Sequence, residues 1–159
     1  MNIYGQHRWM HFFLIKESIN SNYLNLTEKD DDLDEKLIDR THRFWGDDRN
    51  LFTRVGKVVG RSMLSTGHEG HLIFGPYISL AAGCYRVAIR GKLGINGAAG
   101  SRMDVCVEKG TRVLVESSLS LSTEDDYVVS LVISLDTNCS DLEVRVLVKA
   151  ESEVAISLI

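Results

Sequence analysis

Residues 71–90 read HLIFGPYISLAAGCYRVAIR. Leu72, Phe74, Ile78 and Leu80 alternate with His71, Ile73, Tyr77 and Ser79, the two-residue period of a strand that buries one face. Ala81-Ala82-Gly83 follows as a small-residue return, glycine being free to take the positive backbone angle such turns often need. Tyr85, Val87 and Ile89 then face one way, and Cys84, Arg86, Ala88 and Arg90 the other. The expectation is a strand, a tight turn and a second strand running straight back. Pro76, the only proline, has no N–H for a ladder, so its strand is expected at a sheet edge or with a bulge there.

The same alternation continues downstream. Met103, Val105 and Val107 alternate with Asp104, Cys106 and Glu108, and Lys109-Gly110 turns the chain into Val113-Leu114-Val115. Tyr127 to Leu135 and Leu142 to Lys149 repeat the pattern, with a turn-rich stretch at 136–141, and Val154, Ile156 and Leu158 form the last strand. Gly91 to Gly100 carries four glycines at three-residue intervals and reads as a loop; no lysine-serine pair or helix follows, so it is no phosphate cradle. Upstream, Val55 to Leu64 is apolar-rich, between turn chemistry at Gly46-Asp47-Asp48 and Gly67-His68-Glu69-Gly70. Seven or eight short strands with no helical interval predict an all-β antiparallel β-sandwich or jelly roll over residues 45–159.

Residues 1–44 read as an N-terminal extension packing on that domain. Tyr4, His7, Arg8, Trp9, His11, Phe12, Phe13 and Ile15 keep neither a strand nor a helix period, so an edge strand and a short helix both fit. Thr27 followed by Glu28 and Asp30 resembles a helix start, and Leu33, Leu37 and Ile38 give one narrow apolar stripe, predicting a short acidic surface helix over 28–43 or an acidic linker. Residues 28–40 hold seven acids and three bases, a net of −4, which is the net charge of the whole chain. The acidity is therefore local. Asp30, Asp31, Asp32 and Asp34 lack the central glycine and terminal glutamate of a calcium loop.

At 159 residues the chain reads as one sandwich domain with its extension, long enough to bury a core. Its net negative charge argues against nucleic acid as a partner. No apolar stretch approaches a membrane span, and Met10 to Ile15 is too short and interrupted for a secretion signal. Three cysteines, Cys84, Cys106 and Cys139, cannot all pair within one chain and read as free thiols, which places the protein in the cytoplasm.

The phrase from Gly70 to Val87, GHLIFGPYISLAAGCYRV, resembles β-sandwich carbohydrate-binding modules, especially those accompanying bacterial glycosyltransferases and polysaccharide-assembly proteins. Such modules often write a glycine, a GPY strand, a small-residue turn, then a tyrosine and a valine-rich strand. Asp104, Val105, Val107 and Gly110 fit the next hairpin of that pattern. The resemblance covers about residues 45–159 and implies a sandwich and a glycan ligand.

Sugar binding calls for an aromatic face against the apolar side of a pyranose and planar polar groups for its hydroxyls. Trp45, beside Asp47, Asp48 and Arg49, offers both; the alternative is a core plug at the sandwich edge. His71 and Tyr77 share a strand face, and Arg86, Arg90 and Asp104 project from polar faces of following strands. The bland alternative makes Tyr77 packing under the proline and Arg86 with Asp104 a cross-strand ion pair. The predicted ligand-binding set is Trp45, Arg49, His71, Tyr77, Arg86 and Asp104.

His68, Glu69 and His71 flank a glycine turn, but strand-borne metal sites on sandwiches set histidines one residue apart, and His7, His11 and His42 complete no set. No metal and no cofactor are expected. Cys84 and Cys106 lie in strands, away from any helix start that would activate a thiol. The sequence thus points to a non-catalytic glycan-binding module. The alternative is a structural or assembly module whose aromatic N-terminus and strand edges contact further copies or a partner protein.

Overall fold

The computed structural model describes residues 42–94, 99–120 and 127–159, together with the backbone of 15–17. The acidic segment 28–41 lies outside the described residues. The strands in chain order are β1 (Ile15–Glu17), β2 (Gly56–Val59), β3 (Ser62–Ser65), β4 (Gly70–Leu80), β5 (Gly83–Leu93), β6 (Arg102–Val107), β7 (Arg112–Ser118), β8 (Tyr127–Leu135), β9 (Cys139–Val148) and β10 (Val154–Leu158). They form two antiparallel sheets, the all-β architecture of a sandwich. Among the described residues no helix is long and apolar enough to cross a membrane.

One sheet has four strands in the order β4-β9-β6-β7. The other is built around β5. β8 lies along one edge of β5, while β10 and β1 share the opposite edge, β10 beside Arg90–Leu93 and β1 beside Cys84–Arg86. β3 and then β2 continue outward from β10. The alternating valines and leucines meet between the sheets: Val87 and Ile89 from β5, Met103 and Val105 from β6, Val144 and Val146 from β9, and Ile156 and Leu158 from β10 are almost fully buried. Lysine-glycine turns β6 into β7 as expected, and Thr111 N–H donates to the Glu108 carbonyl at 3.2 Å.

The predicted hairpin at 71–90 is not one. β4 pairs with β9 in the four-stranded sheet, and β5 pairs with β8, β10 and β1 in the other. Ala81-Ala82 is the corner by which the chain crosses between the sheets. The Tyr85 hydroxyl donates to the Ala81 carbonyl at 2.8 Å and ties the corner down. Alternation reports a half-buried strand but not its neighbour. Two strands with facing apolar sides bury more area across a sandwich than side by side in one sheet.

Pro76 does sit on an edge strand, and β4 is irregular there as well. The Gly75–Pro76 peptide is cis, and Tyr77 follows with φ of 61°. The register of β4 on β9 shifts between His71 and Ile73 and again between Pro76 and Ile78. The first shift reverses the facing expected for the middle of the strand. Leu72 and Ile73 are both fully buried, and Phe74 pairs with Arg145 on the outer face instead of joining Leu72 in the core.

The chain before β2 covers the free edge of β4. Phe52 and Phe74 exchange both backbone hydrogen bonds at 2.9 Å, and the N–H groups of Arg54 and Val55 donate to the His71 carbonyl. Phe44 and Ile159 likewise exchange backbone hydrogen bonds, closing residues 44–46 over the end of β10. Gly46 has no room for a side chain: a Cβ would lie 2.5 Å from Met63 N and 2.6 Å from the Ile156 carbonyl.

Candidate functional site

The outer face of β4, β9 and β6 carries a groove of about 320 Å³ lined by Arg54, His71, Phe74, Tyr77, Lys109, Asp141, Glu143 and Arg145. Its position follows from the register shifts. They turn His71, Phe74 and Tyr77 outward together, and Phe52 adds a fourth ring from the edge-covering segment. Phe52 stacks on Phe74 with ring centroids 5.6 Å apart and lies 6.2 Å from Tyr77, while His71 meets Phe74 edge-on at 5.8 Å. Phe52 is 47% exposed and Tyr77 42%, so the wall presents aromatic surface to solvent.

The floor is charged and satisfied. Asp104 and Arg145 stand opposite each other on β6 and β9. The Arg145 guanidinium donates to both Asp104 oxygens, Nε to Oδ1 at 2.7 Å and Nη2 to Oδ2 at 3.0 Å. Its Nη1 donates to the Gly110 carbonyl at 3.3 Å. The paired carboxylate favours the charged guanidinium, holding Arg145 above its usual pKa. Glu143 accepts the Tyr77 hydroxyl on Oε1 at 3.0 Å and the Cys106 thiol on Oε2 at 3.4 Å. Both donors are held protonated. Burial first, then the hydrogen bond and charge of Glu143, push Tyr77 up to about 12. Burial of the Cys106 thiol pushes it up to about 12 as well, the charge of Glu143 adding to this and that of Arg145 opposing it.

The second wall is the β6–β7 turn. Glu108 and Lys109 both take φ of 57° and Gly110 78°, a succession that turns consecutive N–H groups the same way. The Asp141 carboxylate accepts from them, Oδ1 from Glu108 N–H at 3.2 Å and Oδ2 from Lys109 N–H at 2.7 Å. Asp141 thereby fixes the turn that carries Lys109 to the rim. On the opposite side His71 is held below its usual pKa, first by burial and then by the charges of Arg145 and Arg54. Its ring is therefore neutral at neutral pH, with one nitrogen donating and one accepting.

Of the six predicted ligand residues, His71 and Tyr77 line this groove, and Asp104 lies beneath it as the partner of Arg145. The other three lie elsewhere. Arg86 is on β5 in the opposite sheet, so an Arg86–Asp104 pair across neighbouring strands does not form. Trp45 bridges Leu158 at the end of β10, and the Arg61 guanidinium covers its ring at 4.1 Å. Arg49 is exposed in the turn where Asp48 N–H donates to the Trp45 carbonyl and the Asp48 carboxylate accepts from Asn50. Arg90 packs over Tyr127 in the opposite sheet.

Among the described residues no group of three His, Cys, Asp or Glu side chains is placed to hold a metal. His68 Nδ1 contacts the Thr66 hydroxyl, and Glu69 pairs with Lys149 Nζ at 2.6 Å. Cys84, Cys106 and Cys139 are free thiols. Sequence reading missed Phe52, Arg54, Phe74, Lys109, Asp141, Glu143 and Arg145. Glu143 and Arg145 carried a signal as the two charges inside the valine-rich run of β9. Phe52 and Arg54 carried none, because a covering segment has no period. Comparison with family models, with curated proteins and with solved structures finds no match to this chain.

Proposed function

We propose that this chain is a non-catalytic glycan-binding module and that the groove on the outer face of β4, β9 and β6 is its binding site. The observation that carries the reading is the exposed aromatic wall of Phe52, Phe74 and Tyr77 set against a fixed polar floor. A pyranose presents an apolar face of C–H groups to a ring and equatorial hydroxyls to planar hydrogen-bonding groups, and the groove supplies both on adjacent sides. Its volume lies at the lower end of the range for small-molecule sites, which suits one or two sugar units. We read the strand order, β8-β5-β10-β3 opposite β4-β9-β6-β7, as a jelly roll, an architecture that lectin domains use. The wording of residues 70–87 supports the same class.

The reading is non-catalytic because the reactive groups of the groove are already engaged. Glu143 and Asp104 each accept two hydrogen bonds, and Cys106 is fully buried and held as the thiol. A glycan array followed by calorimetric titration tests the proposal. Tyr77→Ala and Phe52→Ala are each expected to weaken binding at least about tenfold, whereas Trp45→Ala leaves it unchanged. A chain that retains no glycan, or binds one undiminished in both groove variants, refutes it.

A second reading, an assembly module, is favoured by one observation. β2 is the last strand of its sheet, and Val58 and Val59 on it are 52% and 51% exposed. Light scattering with Val59→Lys distinguishes it: a larger species that the lysine dissolves supports assembly through this edge.

A further inference from the structure

The charges around the groove divide unequally between engaged and available. Each carboxylate accepts hydrogen bonds from within the protein: Asp104 from Arg145, Asp141 from two backbone N–H groups, and Glu143 from Tyr77 and Cys106. Arg145 already donates from all three of its guanidinium nitrogens, to both Asp104 oxygens and to the Gly110 carbonyl. Arg54 and Lys109 are different. Both are exposed at the groove, and neither side chain makes a hydrogen bond or ion pair among the described residues. They approach from different parts of the chain, Arg54 on the segment alongside β4 and Lys109 on the turn that Asp141 holds.

A neutral sugar satisfies the aromatic wall but leaves both cations with water alone. An anionic group engages them, and the guanidinium fork of Arg54 matches a carboxylate in two parallel hydrogen bonds. We infer that the groove selects an acidic sugar, a hexuronate residue whose carboxylate meets Arg54 and Lys109 while its ring lies against Phe52 and Tyr77. This rests on the glycan reading above and adds to it the charge of the ligand.

The test uses the intact chain and matched probes: short oligomers of galacturonate, glucuronate and mannuronate, their methyl esters, and citrate as an anion without a sugar ring. An acid is expected to bind about tenfold tighter than its ester at low salt, with the preference shrinking as salt rises. Arg54→Gln and Lys109→Gln should each weaken binding of the acid about fivefold and narrow the gap between acid and ester. Both side chains are exposed, so unchanged thermal melting is expected to accompany the loss. Equal binding of acid and ester, or neutral glycans alone bound on an array, overturns the inference and leaves the glycan reading standing. Citrate bound as tightly as the uronates, or no sugar bound at all, overturns both.

Discussion

Asp104 and Arg145 face each other across the β6–β9 pair in a two-pronged contact, with the aspartate side chain 4% exposed and the arginine side chain 20% exposed. Attraction between two such groups only offsets the cost of removing them from water, so the pair is worth little against an apolar replacement. Breaking it is another matter. Asp104→Ala leaves a largely covered guanidinium without its partner and is expected to cost about 3 kcal/mol, whereas Asp104→Leu with Arg145→Met together should cost distinctly less. Urea denaturation of Asp104→Leu, Arg145→Met and the double variant closes this cycle; a loss in the double variant equal to the sum of the two single losses would show that the pair does not act as a unit.

Tyr77 and Cys106 donate to the two oxygens of one carboxylate, and their pKa values are raised to about 12 from ordinary values of 10.0 and 9.0. A folded-state pKa above the unfolded one means that the native protein holds its proton longer. The stability so contributed is complete below the unfolded value and is lost as pH climbs through the folded one. Unfolding free energy is therefore expected to fall between pH 9 and pH 12, with a shallower slope in Tyr77→Phe and in Cys106→Ser. Melting curves across that range check this. At neutral pH, thiol titration should find Cys106 the slowest of the three cysteines to react.

His71 titrates with the opposite sign. Its folded pKa is lowered from 6.5, by burial first and then by Arg145 and Arg54, so its contribution is present above that value and declines as pH falls below it. Imidazole resonances followed by NMR should place His71 below 6.5 in the native chain. Arg54→Gln removes one of the charges opposing protonation and is expected to move it upward. An unmoved resonance would mean that Arg54 does not face the ring.

Two backbone positions are expected to respond in opposite directions. Gly75 has φ of 124°, and a Cβ there would lie 2.4 Å from the Asn50 carbonyl, so Gly75→Ala should cost about 2–3 kcal/mol. Lys109 holds φ of 57° with a side chain attached, so Lys109→Gly should raise stability by up to about 1 kcal/mol. The same substitution removes a groove cation and should weaken binding of an acidic ligand. A variant that melts higher and binds less separates the turn's strain from its role.

The strands were legible because burial of one face writes a period of two into the chain, and β5, β6, β9 and β10 keep that period almost unbroken. Pro76 also announced the irregular edge strand, since a missing N–H excludes it from a regular interior ladder. The groove was less legible. His71, Tyr77 and Asp104 were found as polar or aromatic groups on outward faces, but Trp45, Arg49 and Arg86 qualified on the same grounds and lie elsewhere.

Two decisions belong to the tertiary structure alone. Period-two patterning is identical for a strand returning in its own sheet and one crossing to the opposite sheet, so His71 to Arg90 reads as a hairpin and folds as a corner. Whether Phe74 faces the core or the groove depends on one register shift after His71, set by how β4 seats against β9 and not by local propensity. Sequence by itself determined that strands form and which residues prefer burial, because those preferences are local. Which strands meet, and hence which side chains share a groove, was decided by the packing of the two sheets over a common core.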